Sequence, residues 1–331
     1  MGLLRGPSVS VVVRTYSRPI GTLCRCLNSL LNQSVSPKDI IVVHKGLGQQ
    51  LNKIPNESRL VLVQQNGRGV SNACNEGIAA SSGDVVAFID DDSVASPKWI
   101  ESLIERYASN DMIVAVGGPV NDGRNGKASF FHGTVDILGR SDMTPDSARS
   151  RKHPLESFEY MALTNASFRR HTLEYLGGFD EFYTYSHEDP DVCIRIQQAG
   201  LTSCFEQKAL VWHYFAAGPT RSHWLYNSER SRIYFALSNF MRRLSLLMMV
   251  KHMFLLQGGN ILNALLQIAA RRRSFIKVIL ELAERELGGI VGFASGTRYR
   301  RQHSKETFKK GPWLDRYASG TNRRSVESWR S

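Results

Sequence analysis

Short apolar segments alternate regularly with longer helical ones through the first two thirds of this 331-residue chain. Residues 8–16 are a short, β-rich apolar run. Residues 39–46 and 59–65 are nearly continuous in Val, Ile and Leu, as in strands with two buried faces. Residues 19–33 carry Leu at helical spacing. The alternation predicts an α/β protein with a mostly parallel sheet and helices on both of its faces.

The alternation continues into the middle of the chain. Residues 66–83 and 96–109 have the start and stop signals of helices, and residues 84–93 and 111–120 are further predicted strands. Residues 121–160 are rich in Gly, Ser, Asp, Arg and Pro without clear periodicity. Such a stretch is typical of a binding loop or a lid.

Three adjacent carboxylates, Asp90, Asp91 and Asp92, lie at the carboxyl end of the strand predicted at 84–93. Open α/β sheets bind their ligands at this end of the strands. Adjacent carboxylates repel one another, and a divalent cation relieves that repulsion; Mg²⁺ and Mn²⁺ both prefer such oxygen ligands. The alternative is a solvated acidic turn that caps the next helix.

A second acidic group, formed by Glu188, Asp189 and Asp191, stands at a predicted helix start with Pro190 in the first turn. The helix dipole stabilises carboxylates there, so this group is also explained as a simple helix cap. His213 follows a predicted strand, where a lone histidine is often structural.

Three common site motifs are absent from the sequence. RTYSRPIG follows the first predicted strand where a dinucleotide fingerprint would need GxGxxG, and neither GxxxxGK[ST] nor GxSxG occurs. The sequence therefore gives no support to a dinucleotide-binding enzyme, a P-loop NTPase or an α/β-hydrolase.

Seven segments, in this order, resemble the family 2 inverting glycosyltransferases of the GT-A fold: VSVVVRTYSRP, DIIVVHKG, NGRGVSNACNEGI, VVAFIDDDS, LTNASFRR with LGGFDE, HEDPDVCIRIQQAG and ALVWH. They cover residues 8–214. The resemblance implies a Rossmann-like GT-A sheet, a nucleotide-sugar donor, a glycan or lipid-linked acceptor, and Mn²⁺ or Mg²⁺ as cofactor.

The resemblance also implies site roles, residue by residue. It makes Asp92 the expected metal ligand, completed by His213, and Asp189 the expected base beside Glu188. The residues expected to bind the donor are Thr15, Tyr16, Arg18, His44, Arg68, Asp90 and Asp91. The residues expected on the acceptor side are Asn165, Gly178 and Asp180.

The sequence departs from the family pattern at two positions. His44 stands where the second strand usually ends in an Asp that recognises a uracil-type base, so the base is left open. Cys74 stands where the following helix often carries Arg, which removes a charge and is expected to affect how that helix docks.

The implied reaction is sugar transfer with inversion, in which Asp189 takes the proton of the attacking hydroxyl. The charge of the leaving diphosphate is offset by a cation held by Asp92 and His213. A metal-dependent sugar nucleotidyltransferase is the alternative enzyme, but the ED motif and the GGFDE segment favour sugar transfer. A non-catalytic nucleic-acid-binding protein is disfavoured by the near-neutral body, so no nucleic-acid partner is expected.

The positive charge is concentrated in the last third of the chain. Residues 224–331 hold 20 Lys and Arg against 7 Asp and Glu, whereas the preceding residues hold 22 against 23. Helical stretches near 226–255 and 260–288 are apolar but interrupted by basic residues, with no uninterrupted apolar run of 18. They favour helices lying on an anionic membrane surface; a soluble appendage or a dimer interface is the alternative.

We therefore expect three regions: a catalytic domain at 1–223, a helical, membrane-associated extension at 224–296, and a flexible basic tail at 297–331. The five scattered cysteines and the short N-terminal apolar run favour a cytoplasmic protein. The basic helical extension is expected to place it peripherally at the inner face of the cell membrane.

Overall fold

The computed structural model describes residues 6–130, 132–143, 156–216, 223–240, 275–303, 309, 311 and 313. Parts of three sequence predictions lie outside the described residues: the middle of the 121–160 loop, much of both C-terminal helical stretches, and most of the basic tail.

The strands of the described part are β1 (Val9–Tyr16), β2 (Asp39–Lys45), β3 (Leu60–Gln64), β4 (Val85–Asp90), β5 (Ser93–Ala95), β6 (Ile113–Gly117), β7 (Val120–Asp122), β8 (Ala128–Phe130), β9 (Gly133–Asp136), β10 (Ser141–Asp142), β11 (Ser157–Tyr160), β12 (Asn165–Arg169), β13 (Thr202–Phe205) and β14 (Val211–His213). The α-helices are α1 (Ile20–Leu31), α2 (Val70–Ala80), α3 (Trp99–Ala108), α4 (Arg170–Leu176), α5 (Glu188–Gln198), α6 (Trp224–Phe240) and α7 (Phe275–Gln302). None of these helices combines the length and apolar composition needed to cross a bilayer.

The central sheet has the strand order β13-β6-β12-β4-β1-β2-β3. The four strands from β4 to β3 pair in parallel, as do β13 and β6. Only β12 runs antiparallel to its neighbours among these described strands. The predicted mostly parallel α/β sheet is confirmed.

Apolar side chains cover both faces of this sheet. In β1, Val9, Val11 and Val13 belong to the core that packs on α1 and α3. Val12 points the other way, into the core formed with α2, α5 and α6. Side chains alternate between the faces of a strand, so one Val-rich segment serves both helix layers.

The segment predicted to be a loop or lid contains regular structure, so this expectation is corrected. Strands β7 and β8 join β5 and β14 in a four-stranded sheet, and β9, β10 and β11 form a three-stranded one. Each of these strands has two to four residues. Strands this short show too little alternation to be recognised from sequence.

The predicted boundary at 223 does not separate two cores. Ile233, Tyr234 and Phe235 of α6 lie in the same core as residues of α2 and α5. Helix α7 packs closely along α6. The contact is so close that a Cβ at Gly288 or Gly292 would collide with the backbone of α6. The expected helical character is present at 224–240 and 275–296, the described parts of this region, but α6 belongs to the catalytic body.

The predicted start of a flexible tail at residue 297 falls inside a helix. Helix α7 continues to Gln302. Beyond it, Lys309 is 3% exposed and lies within the body of the protein. At these positions the basic tail is therefore part of the folded structure.

Candidate active site

The carboxyl ends of three neighbouring parallel strands form the floor of the site. In the register of the sheet, Arg14 of β1 lies opposite Asp90 of β4, and Thr15 lies opposite His44 of β2. The strand β14 is antiparallel to β5 and brings His213 opposite Ser93, next to the carboxylate run. Residues far apart in sequence therefore meet at one edge.

Asp90, Asp92 and His213 offer ligand atoms that all lie within 4.8 Å of one another. Nε2 of His213 is 3.0 Å from one carboxylate oxygen of Asp92 and 4.0 Å from one of Asp90. Two carboxylates and one imidazole form a donor set that Mn²⁺ and Mg²⁺ sites can use. These residues fit a divalent metal, and Asp90, predicted on the donor side, belongs to the cluster.

Neighbouring charges shift the pKa values of Asp92 and His213 in this cluster. Burial acts to raise the pKa of Asp92, but the hydrogen bond and charge of His213 and the charge of Arg18 hold the pKa below its ordinary value. Burial likewise opposes protonation of His213, yet Asp92 and Asp90 raise its pKa. His213 and Arg18 therefore hold Asp92 in its ionised form.

Asp91 faces the loop after β1. Its Oδ2 accepts a hydrogen bond of 2.6 Å from the hydroxyl of Thr15, and its Oδ1 lies 3.1 Å from Nε of Arg18. Arg18 also pairs with Asp92 at 2.8 Å. Burial is the main cause of a pKa of about 6 for Asp91. The hydrogen bond between Thr15 and Asp91 therefore fixes the start of the loop after β1. Arg18, on this loop, links it to Asp92 of the metal-ligand cluster.

Arg14 was not predicted to be a site residue. Its guanidinium is 2.7 Å from Asp90 and donates at 3.5 Å to the Sγ of Cys74. Thr164 donates to the other oxygen of Asp90 at 2.6 Å. The guanidinium of Arg14 therefore lies against the position that family members fill with arginine from α2. A charged residue inside an otherwise apolar strand was the available signal.

Asp189 lies in the first turn of α5, beside Glu188. Its pKa is raised well above the ordinary range, first by burial, then by the charge of Glu188, with Asp90 adding to the effect. Asp191 does not join this group: it is buried 2.8 Å from Arg195. The expected trio of competing carboxylates is therefore reduced to the ED pair.

The start of α5 is fixed by His187, which stands directly before Glu188 and Asp189 in the sequence. It caps the helix in the left-handed conformation, with φ of 73°. Its Nε2 is 2.8 Å from the carbonyl oxygen of Gly139, in the segment predicted to be a lid. Burial lowers the pKa of His187 to about 4, so the ring is neutral at neutral pH.

A cavity of about 400 Å³ opens beside the ends of β2 and β3. His44, Gln64 and Gln65 contribute to its lining. His44 is buried, and burial lowers the pKa of its ring. Tyr16, the last residue of β1, and Arg68, on the loop after β3, are exposed.

Asn165 requires a correction, because its side chain is buried inside the fold. Its amide donates to the carbonyl oxygens of Pro119 and Ala209, and its Oδ1 accepts from the indole of Trp99. These bonds link β12 to α3 and to the segments before β7 and β14. Asn165 holds the sheet together and offers no free group to an acceptor.

Gly178 and Asp180 require the same correction. Gly178 is buried, and its carbonyl oxygen accepts a hydrogen bond of 2.8 Å from Arg195. Asp180 is buried and accepts bonds from the hydroxyl of Tyr234 and from Nζ of Lys309. Both residues lie on the side of α5 that packs into the protein, and neither faces an acceptor.

A sequence profile described as "Glycosyl transferase family 2" matches residues 10–176, half of the chain. This span includes β1, β4 and the three consecutive carboxylates. The chain belongs to glycosyltransferase family 2. It is therefore a glycosyltransferase, and the predicted family is confirmed.

Two curated relatives of this family 2 chain are similar over different lengths. A "Glucosyl-dolichyl phosphate glucuronosyltransferase" of Haloferax volcanii is 32% identical over 232 residues, which are 66% of this chain and 72% of the relative. A "Pre-mycofactocin glycosyltransferase" of Mycobacterium tuberculosis is 32% identical over 160 residues, 46% of this chain but only 32% of the relative.

A solved structure supports the fold of the family 2 chain. GalNAc-T7, crystallised with UDP, GalNAc and Mn²⁺, superposes with a TM-score of 0.55 at 18% identity, covering 71% of this chain and 50% of that one. At this identity the likeness establishes the fold. The GT-A prediction is confirmed.

Proposed function

We propose that this protein transfers a sugar, with inversion, from a nucleoside-diphosphate sugar to a hydroxyl group of a lipid-linked or free glycan. One observation carries the proposal: Asp189, with its raised pKa, is close enough to Asp90 of the metal-ligand cluster for their charges to interact. A proton acceptor in α5 therefore lies near the carboxylates proposed to hold the metal after β4.

Asp92, Asp90 and His213 are the residues that would hold a divalent cation. When bound there, the cation supplies positive charge that offsets the charge developing on the leaving diphosphate. Arg18 adds a fixed guanidinium beside Asp92. Because these side chains are held by β1, β4 and β14, little reorganisation is needed as charge develops.

Asp189 is the proposed general base. A carboxylate with a raised pKa takes a proton from an attacking hydroxyl more readily than an ordinary one. The backbone N–H of Asp189 at the helix N-terminus and the charge of Arg14 oppose this rise in pKa. Attack on the anomeric carbon from the face opposite the diphosphate then gives inversion.

The cavity next to His44 is the proposed place of the nucleotide base. Its amide side chains, Gln64 and Gln65, and the neutral imidazole of His44 can donate and accept hydrogen bonds with a base edge. Tyr16, exposed at the end of β1, and Arg68, exposed on the loop after β3, would lie over the nucleotide. An Asp in place of His44 could only accept, so the base preference is expected to differ from that of uracil-binding members.

The proposed acceptor is lipid-linked, because the name of the haloarchaeal relative describes a glucosyl-dolichyl phosphate acceptor. α7 also carries an apolar stripe formed by Leu280, Leu287 and Ile290, as expected of an enzyme that acts at a membrane surface. These side chains are 61%, 56% and 61% exposed. Spacings of seven and three residues place them on one helix face. With the basic surplus of this region, the stripe would lie on an anionic bilayer.

A donor screen tests the proposed function. The full chain is incubated with a panel of nucleotide sugars and Mn²⁺ or Mg²⁺, and the sugar released or transferred is followed by NMR, which also reports its anomeric configuration. We expect metal-dependent consumption of one donor class with inversion, abolished by EDTA and by Asp92→Ala. Full activity in excess EDTA, or retention of configuration, would contradict the proposal.

A further inference from the structure

Lys309 lies far along the chain from the segment matched by the family 2 profile. Its side chain is buried against α5, the helix that carries Asp189. Its Nζ lies 2.6 Å from a carboxylate oxygen of Asp180 and 2.7 Å from one of Asp191. It also donates to the hydroxyl of Tyr183 at 3.1 Å. Neither the family motifs nor the proposed reaction requires a lysine at this place.

The buried charges around Lys309 are balanced. Asp180 and Asp191 face two cations, Lys309 and Arg195, and all four side chains are at most 3% exposed. Arg195 of α5 also donates to the carbonyl oxygen of Gly178. A buried carboxylate that loses its partner is strongly unfavourable, so this arrangement depends on the lysine.

Aromatic rings from four parts of the chain surround the ammonium group of Lys309. Nζ is 4.6 Å from the ring centroid of Tyr183, 4.7 Å from that of Tyr234 in α6 and 5.5 Å from that of Tyr299 in α7. The ring of Trp313 is 5.7 Å away. Rings at these distances attract a cation, and here they join α6 and α7 to the segment before α5.

Gly311 and Trp313, which follow Lys309 in the chain, contact the GGFD turn and α5. We call Lys309, Gly311 and Trp313 the C-terminal strap. A Cβ at Gly177 would collide with the carbonyl oxygen of Gly311, so the two backbones are in close contact. The ring of Trp313 lies 5.0 Å from the guanidinium carbon of Arg195. The strap therefore covers the GGFD turn and the buried side of α5.

Asp191 connects the strap to the reaction. It lies two residues after Asp189 in the first turn of α5, and it accepts bonds from Lys309, Tyr183 and Asn239. A small displacement of a catalytic group lowers the rate steeply. We propose that Lys309 is a positioning residue, which holds the first turn of α5 so that Asp189 faces the acceptor; this rests on the proposed function.

The test compares Lys309→Met, which keeps the length but removes the charge, with Lys309→Arg. In Lys309→Met we expect kcat to fall by about 10-fold to 100-fold while the donor KM stays within about twofold, because the donor residues lie at the ends of β1, β2 and β4 and on the loops after β1, β3 and β4. Hydrogen exchange of the first-turn amides of α5 should accelerate. Lys309→Arg should recover most of both properties.

A double variant, Asp180→Asn with Lys309→Met, restores the charge balance if the single variant does not fold. It should keep a low kcat and fast exchange at α5, since Asp191 still lacks its lysine. A folded Lys309→Met or double variant with wild-type kcat and wild-type exchange would overturn the proposal. Absence of sugar transfer in the wild-type chain would instead reject the proposed function, and the exchange comparison would still test the strap.

Discussion

At the scale of single residues, environment distinguishes side chains that look alike in the sequence. Asp189 and Asp191 stand two positions apart, yet burial and the charge of Glu188 raise the pKa of Asp189, whereas Lys309 and Arg195 lower that of Asp191 against the effect of its burial. Asp189 therefore binds a proton more readily than an ordinary aspartate, whereas Asp191 stays ionised as a member of an ion-pair network.

The pH dependence of turnover should report this environment. The base must be ionised, so kcat should fall on the acid side at a pH above the ordinary range of aspartate, about 4. Glu188→Gln removes a neighbouring negative charge and should lower the pKa of Asp189, which moves the acid limb to lower pH. Profiles of kcat against pH for the two proteins make the comparison. An unchanged limb, or a shift to higher pH, would contradict the assignment.

At the scale of elements, the long strands could be predicted and the short ones could not. β1, β2 and β4 contain runs of three to five consecutive apolar residues, and the run in β4 also located the carboxylates that follow it. A strand before His213 was predicted, but the pairing of β14 with β5 and β7 could not be foreseen from the sequence. Asn165, Gly178 and Asp180 were misplaced because their roles depend on tertiary partners, such as Trp99 and Arg195, that no local pattern reveals.

The corrected role of Asn165 predicts a loss of stability. Asn165→Ala leaves the indole N–H of Trp99 and the carbonyl oxygens of Pro119 and Ala209 without their side-chain partner. Each buried group left unpaired costs about 1–3 kcal/mol, so the free energy of unfolding should fall by about 3 kcal/mol or more. Denaturant titration measures the change, with the exposed Asn32→Ala as control. Wild-type stability combined with a raised acceptor KM would restore the acceptor-side role.

At the scale of the whole molecule, the C-terminal third completes the catalytic body and also faces outward. α6 and the strap line the inner side of α5, while α7 presents its apolar stripe to the outside. Composition predicted the charge asymmetry of this region. It could not predict that one of the basic residues, Lys309, would be buried in the core.

Vesicle flotation tests the outward surface. The full chain should float with anionic vesicles at low salt, because each basic residue near such a surface contributes about 1 kcal/mol, and high salt should weaken the binding. Leu287→Ser combined with Ile290→Ser should reduce flotation, whereas Met112→Ser, which alters a 69% exposed side chain of the catalytic body, should not. Full-length protein that ignores anionic vesicles at low salt would rule out this surface.

The turnover of Asp189→Asn tests the central claim most directly. Asparagine keeps the shape of the side chain and much of its capping ability but cannot take a proton. With metal and donor fixed, kcat should fall by about 10²–10⁴-fold while the donor KM stays within about twofold, and Glu188→Gln should retain most of its turnover. Near-normal turnover of Asp189→Asn would contradict the account, and its loss in Glu188→Gln alone would move the base to Glu188.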